Sequence, residues 1–300
     1  MDGHAASVSL LRRPFGTRIV NTRPDQSELV GLVQPGSHGP LATYLSRIWE
    51  RKAYVWYVAS NELRSQQLNT VLGNLWHVLN PMLQIGIYAL IFGFILEIDR
   101  GIDNYLAFLA VGVFAYSYTQ KTITSGVGSL AKNQGLMRSI SFPRAMLPMA
   151  STLTELLTFV PKIGVMLVTV LATGEPALWT WLLIVPIAFV QTVFGLGFAL
   201  ITARAGAHAD DFKNLLPFVF RLLFYASGVL FTIDRFVTPD SSLRWIFFLN
   251  PVYDVLALYR WAVLGYELKA AYLISLAVWT VGGVVIGTWW FRRGEATYGL

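Results

Sequence analysis

The chain contains no cysteine, so disulfide frameworks, thiolate metal sites, iron–sulfur clusters and cysteine nucleophiles are excluded together. Charge is scarce as well: 13% of the 300 residues are Asp, Glu, Lys or Arg, about half the share of a soluble domain. Histidine occurs at positions 4, 38, 77 and 208, never in the middle of an apolar run, so no buried acyl-transfer base is offered. No G-x-x-x-x-G-K-S/T string is present. The nearest stretch, 126–132, has the wrong spacing, so the chain is not expected to be an ATPase itself. Internal repetition is also missing, which weakens an inverted-repeat secondary transporter. Asp210 and Asp211 beside His208 lack the further acid of a metal–diphosphate site, Asn214 standing in its place.

What the chain has in abundance is apolar surface. With 55% hydrophobic residues and a mean hydropathy of +0.53, it is built for a bilayer. The net charge of +6 then reports orientation rather than nucleic-acid binding. Residues 1–40 carry Pro14, Pro24, Pro35, Pro40 and four Arg, a composition that predicts a mobile tail. No apolar run of signal-peptide length lies there, so the tail is expected in the cytosol. Over 41–77, Leu41, Leu45, Ile48, Trp49, Val55, Trp56, Ala59 and Leu63 fall near helical spacing, opposite Arg47, Glu50, Arg51, Asn61, Glu62 and Arg64. Trp49 and Trp56 suit an amphipathic helix in the headgroup layer, in contact with membrane lipids.

Six stretches are long and apolar enough to cross: 78–97, 104–130, 145–173, 178–203, 214–232 and 271–291. The second is the most polar. A further stretch, 243–265, is split by Asn250-Pro251 and carries Arg244, Asp254 and Arg260. With six crossings and a cytosolic start, 15 Lys/Arg lie on the cytosolic side and five outside; a seventh crossing would place Arg292 and Arg293 outside and break that bias. The expected fold is thus all-α and integral to the membrane: six transmembrane helices over 78–300, the amphipathic interface helix, and a re-entrant helical hairpin entered from the external side.

Several residue groups invite a functional and a structural reading at once. The loop 131–144 sets Lys132, Arg138 and Arg144 around Leu136, Met137, Ile140 and Phe142, suiting either a segment that docks in a partner's groove or an ordinary positive-inside loop. Lys121, Glu155, Lys162 and Arg221 fall within spans, where charges mark an ion relay, a lipid-headgroup contact or structural pairing. Glu155 and Lys162 are two helical turns apart, so Lys121 of the neighbouring span is the easier partner for Glu155. The aromatics Tyr88, Phe92, Tyr116, Phe220, Phe224 and Phe231 are either lipid-facing filler or a track on which sugar rings slide, and Phe220, Phe224 and Phe231 share one helix face.

Three strings carry a resemblance. They are Asn69 to Pro81 (NTVLGNLWHVLNP), where Gly73 permits a bend, Trp76 anchors and Pro81 is expected in the first helical turn; Ser141 to Pro148 (SFPRAMLP); and Leu249-Asn250-Pro251-Val252 followed by Tyr259-Arg260. Together, from about Leu41 to the C-terminus, the sequence resembles the permease subunits of ABC-2 type polysaccharide exporters, which move O-antigen, capsule, teichoic acid or galactan. The family usually has basic and Tyr residues where Gln66, Gln67 and Leu68 stand, so no headgroup contact is assigned there.

The resemblance implies a homodimer in the bacterial inner (plasma) membrane with both termini cytosolic. It implies two copies of an ABC ATP-binding subunit, which hold the ATP and Mg, with no cofactor on this chain. The substrate would be a lipid-linked polysaccharide moved outward, with 131–144 as the coupling loop and Asn250, Pro251, Asp254 and Arg260 as an external gate. A membrane-embedded glycosyltransferase or acyltransferase, and an ion-coupled secondary transporter, are the alternatives that the residues themselves leave open.

Overall fold

The computed structural model describes residues 41–65, 75–95, 102–139, 142–209, 211–232, 247, 249–295 and 298. The tail 1–40, most of the Asn69–Pro81 string before Leu75, Ile140, Ser141, Asp210 and the first part of the expected hairpin, with Arg244, lie outside the described residues. Every regular element described is helical: α1 (Leu41–Glu50), α2 (Lys52–Ser65), α3 (Leu75–Tyr88) continuing as a π-helix (Ala89–Ile95), α4 (Tyr105–Ser129), a 3-10 turn (Ala131–Asn133), α5 (Gln134–Ser139), α6 (Met146–Ala172), a second 3-10 turn (Trp179–Leu183), α7 (Ile184–His208), α8 (Phe212–Ala226), α9 (Pro251–Leu264) and α10 (Ala270–Gly294).

Helix α4 is the centre of the bundle. It packs against α3, α6, α7, α8 and α9, and from Phe108 to Tyr116 every residue is buried. This explains why the most polar of the expected spans is tolerated, since its polar residues meet protein rather than lipid. By contrast α6, the segment Trp179–His208 and α10 are long and apolar enough to cross a membrane. Their outward faces remain apolar, with Val160 and Val168 on α6, Val185 and Phe189 on α7, and Ile274, Val278 and Val285 on α10 all exposed.

Helix starts follow local side-chain chemistry. Asn104 accepts a hydrogen bond from the Ala107 N–H at the head of α4, while its amide donates to the Thr173 carbonyl at 3.1 Å, tying α4 to the end of α6. Asn250 caps the Val252 N–H and is followed by Pro251 at the first helical position; Gly265, at φ 73°, ends α9 in the left-handed conformation. Two expectations change. Pro81 lies inside α3 rather than in its first turn, because the helix starts earlier, at Leu75. The fifth span, expected over 214–232, is helical only to Ala226; Gly228, at φ 61°, turns the chain away from the helix. Its 15 residues reach about 22 Å, short of the ~30 Å hydrocarbon core.

The expected single interface helix is two helices, broken at Arg51, and its apolar stripe serves two directions. Ile48, Val55 and Ala59 turn into the bundle, whereas Trp49 and Trp56 are 70% and 56% exposed. One end of the bundle gathers α1 and α2, the loop after α4, the start of α6 and the ends of α7 and α10 into a second cluster built on Met137, Met146, Leu147, Leu200 and Phe291. Helix α9 stays away from that end. The carbonyl before it, Leu249, accepts from Trp279 Nε1 within α10, and its last turn lies beside the 3-10 turn, where Thr180 and Trp181 donate to the Ala262 and Val263 carbonyls.

Helices α7 and α10 approach each other closely through glycine. A Cβ on Gly197 would lie 2.5 Å from the Gly283 carbonyl carbon, a backbone atom that cannot move aside, whereas nothing lies within 4 Å of a Cβ on Gly282. Gly197→Ala is therefore expected to push the two helices apart and lower both the yield of monodisperse protein and its Tm. Gly282→Ala should be neutral or raise Tm, Ala being favoured over Gly in a helix by about 1 kcal/mol. Size-exclusion and thermal-shift measurements of the two variants side by side check this, and equal behaviour would refute the packing argument.

Candidate functional site

The four residues expected at an external gate are built into the protomer. Asn250 donates to the Ala226 carbonyl and to Ser227 Oγ, fastening the head of α9 to the end of α8. Arg260, counted by sequence among external charges, is buried: Nη2 donates to the Gly228 carbonyl at 2.8 Å and the Val229 carbonyl at 3.2 Å, and its guanidinium lies 3.5 Å from the centre of the Phe108 ring. Gly112 makes the room, since a Cβ there would sit 3.0 Å from Arg260 Nη2. Asp254 is fully buried; neither carboxylate oxygen reaches hydrogen-bond geometry, and Ser275 is the hydroxyl that faces it. No ion pair joins it to Arg260.

A buried polar network escapes sequence reasoning. Tyr259 Oη donates to Gln191 Oε1 at 2.8 Å, and Gln191 Nε2 donates to Thr119 Oγ1 at 2.7 Å and the Ala115 carbonyl at 2.9 Å. Beside it, Tyr118 is hydrogen bonded to Thr192 and stacks on Phe159 with ring centres 4.1 Å apart. The network pins α9 to α4 and α7. Its one visible signal is Gln191, a lone amide within an apolar run, and nothing in the sequence names its partners.

Most of the aromatics expected along a path face inward. Phe220 and Phe224 are 3% and 6% exposed. Tyr116 Oη donates to the Phe220 carbonyl, and Phe224 packs between Tyr116 and Tyr88 at 5.1 and 5.3 Å, with Phe92 edge-on to Tyr88. Phe231, beyond the end of α8, is half-buried. The surface that α8 leaves exposed carries Phe218, Leu222 and Tyr225, with Arg221 among them. Between α8 and the lower half of α4 lies a cavity of about 400 Å³, lined by Gln120, Thr124, Ser125, Gly128, Lys132, Lys213 and Leu216 among others.

Lys121 and Glu155 line a second cavity, between α2, α4 and α6, without an ion pair within 4 Å; Lys162 lies deeper on the same face of α6, which runs through Pro161 without interruption. The structure thus brings three of the four intramembrane charges together and leaves Arg221 apart.

The residues of the loop 131–144, expected to couple to a partner, divide by exposure. Met137 is buried, and Leu136 and Phe142 pack against the same cluster, Phe142 with its ring 5.6 Å from Tyr54. Gln134, Gly135, Arg138 and Ser139 are exposed. The loop is held at both ends. Lys132 pairs with Glu62 of α2 at 3.4 Å. Arg144 donates its backbone N–H to Glu295 Oε1 at 2.6 Å and its Nη1 to the Glu295 carbonyl at 2.5 Å. Tyr44 of α1 donates to the same Glu295 carboxylate at 3.2 Å, and burial, reinforced by the Glu295 charge, pushes its hydroxyl well above the usual tyrosine range, so it remains a donor. Glu295 therefore clasps α1, the loop 131–144 and the end of α10 in one contact.

Comparison with known proteins adds a lineage to this geometry. The chain is 26% identical over 234 residues to the O-antigen export system permease protein RfbA of Klebsiella pneumoniae, covering 76% of this chain and 88% of that protein. It is 25% identical over 203 residues to RfbA of Myxococcus xanthus, covering 68% and 77%. To the polysialic acid transport protein KpsM of Escherichia coli it is 25% identical over 244 residues, covering 78% and 90%. The ABC-2 type transporter family matches residues 54–264, from within α2 through the central helix to the last turn of α9. An all-helical bundle whose longest helices turn apolar faces outward, matched by that family over more than half its length, belongs to the ABC-2 type transporter family of membrane proteins.

Proposed function

We propose that the chain is the permease subunit of an ATP-driven exporter that moves a lipid-linked polysaccharide from the cytosol to the outer face of a bacterial inner membrane. The observation that carries this reading is the family match over 54–264, together with relatives named for O-antigen export and polysialic acid transport. Six stretches carry the chain across with both termini cytosolic, the fifth by α8 together with the irregular residues 227–232 that follow it, and α9 is the returning half of an external hairpin. Two copies enclose the path, a six-span protomer being small for a sugar-wide passage and twofold closure being the commonest solution. Two ABC ATP-binding subunits supply ATP, Mg and hydrolysis.

Docking of the ATP-binding subunit falls to the loop 131–144. The exposed Gln134 and Arg138 would touch the partner, while Met137, Leu136, Phe142 and Arg144 carry its movement into the bundle and, through Glu295, to the interface helices. Trp49 and Trp56 rest in the headgroup layer. The glycan path runs past the α4–α8 cavity and along the face of α8 bearing Phe218 and Tyr225, with Tyr88, Phe92, Tyr116, Phe220 and Phe224 forming the wall behind it. Loss of the chain should trap the lipid-linked glycan in the cytosol; export that persists after the partner's ATPase is inactivated would overturn the function.

Because the chain is free of cysteine, single cysteines report cleanly. Gln134→Cys and Arg138→Cys are expected to crosslink to the ATP-binding subunit, whereas Met137→Cys, turned into the cluster, should not. A scan of the whole loop that yields no crosslink while export continues would remove the docking role.

The aromatic face makes a second forecast. Phe218→Ala combined with Tyr225→Ala should lower cell-surface glycan several-fold with unchanged protein yield, since both side chains are exposed. Phe224→Ala should instead lower the yield, because it opens a cavity costing about 3–5 kcal/mol. Surface glycan and dimer yield measured together decide the matter, and normal export by the double variant would end the assignment of the track.

A further inference from the structure

Two polar stripes face each other in the half of the bundle nearest the coupling loop. On α6, Ser151, Thr154, Glu155, Thr158 and Lys162 recur at helical spacing; on α4 they meet Lys121, Thr124 and Ser125. With Glu62 of α2 and Lys132 at the mouth, all of these except Lys162 line a cavity of about 280 Å³, room for a phosphate and several waters at about 30 Å³ per water, and Lys162 lies behind the lining, one turn beyond Thr158.

The charges do not cancel. At the mouth, Glu62 and Lys132 neutralise each other at 3.4 Å. Inside, Glu155 and Lys121 line the cavity without an ion pair within 4 Å, and Lys162 follows Glu155 by two turns on the same face of α6, so one carboxyl group stands among two lysines. Lys162 is only 3% exposed, and an uncompensated cation so deep in a low-dielectric interior calls for an anion. The hydroxyls point to what surrounds that anion. Thr124, Ser125, Thr154 and Thr158 all donate to carbonyls of their own helices, which leaves oxygen lone pairs free to accept from water or from a hydroxylated group. One wall of the cavity is α2, whose Trp56 is exposed on its outer side, so the site borders the surface where lipid headgroups lie.

We propose that this cavity is a binding site for the phosphate of a phosphorylated lipid headgroup, held by Lys121 against the competing carboxylate of Glu155, with the charge of the buried Lys162 behind the lining favouring the anion. The identity of the lipid as the carrier of an exported glycan rests on the function proposed above; the anion site rests on the cavity and its unbalanced charge.

The test uses the full chain in phosphatidylcholine nanodiscs, with a long-chain polyprenyl phosphate and inorganic phosphate as separate probes, followed by native mass spectrometry and thermal shift. The polyprenyl phosphate should bind, and Lys121→Gln should weaken it about tenfold, the loss expected for one charge-assisted contact. Glu155→Gln should tighten binding several-fold by removing the competing anion, while Lys269→Gln, before the opposite end of α10, should change nothing. Should Lys162→Gln fail to fold, Lys121→Gln and Glu155→Gln carry the test, since the first is exposed and the second keeps its shape. Lysine-dependent binding of inorganic phosphate without binding of the lipid would make this a free-anion site and overturn the lipid assignment. Absence of binding by either probe, or binding indifferent to Lys121 and Glu155, would overturn the site itself. Surface glycan assayed in the same variants separates the two conclusions: lost binding with intact export leaves the anion site standing and overturns the bound lipid as the carrier of the exported glycan, and export independent of ATP sinks the function alone.

Discussion

Backbone carbonyls and amides inside a membrane have no water to turn to, and the arrangement around α4 is an answer to that constraint. The fifth long apolar stretch leaves the helix at Ser227, which strands carbonyls that would be intolerable against lipid. Arg260 takes up two of them, and it can do so because Gly112 leaves a space against α4 and because Phe108 offers a ring face to the guanidinium. Asn250 meets the neighbouring Ala226 carbonyl in the same way. An irregular segment is thus made permissible by polar groups from α9, and α9 in turn is held in place by the groups it satisfies.

The same logic places polarity at the centre rather than the rim. Gln191, Thr119 and Tyr259 are paired inside the bundle, and Tyr118 is both hydrogen bonded and stacked. Unpaired, each would be costly; satisfied together, they fix the register of three helices that apolar packing alone would leave free to slide. Apolar surface is left on the outward faces of α6, α7 and α10, and also of α3 and α8, where a bilayer can cover it.

At the other end of the bundle several separate segments are physically joined. Glu295 contacts α1 through Tyr44 and the loop 131–144 through Arg144, and Lys132 with Glu62 ties the loop's beginning to α2. A movement of the loop would therefore reach α1 and α2 by short contacts rather than through the length of the long helices. The α2–α4–α6 cavity opens beside one of these ties, which puts its charged lining within reach of the same movement.

Membership of the bilayer was legible in the sequence, because long apolar runs have few other uses, and so were the positions of α4, α6, α7 and α10, since each run is longer than any soluble core requires. The Asn250-Pro251 start of α9 was legible for a local reason: a capping side chain followed by proline reads the same in any context. The loop 131–144 stood out by charge and Lys121, Glu155 and Lys162 by their cost, yet neither property says which side of a helix faces which neighbour. Tertiary structure alone decided that Phe220 and Phe224 turn inward, that one apolar stripe over 41–65 serves both protein and exterior, that α8 stops at Ala226, and that Arg260 is buried against two carbonyls. Helical periodicity defines an angle around one axis, and only the packing of several axes against one another converts that angle into inside or outside.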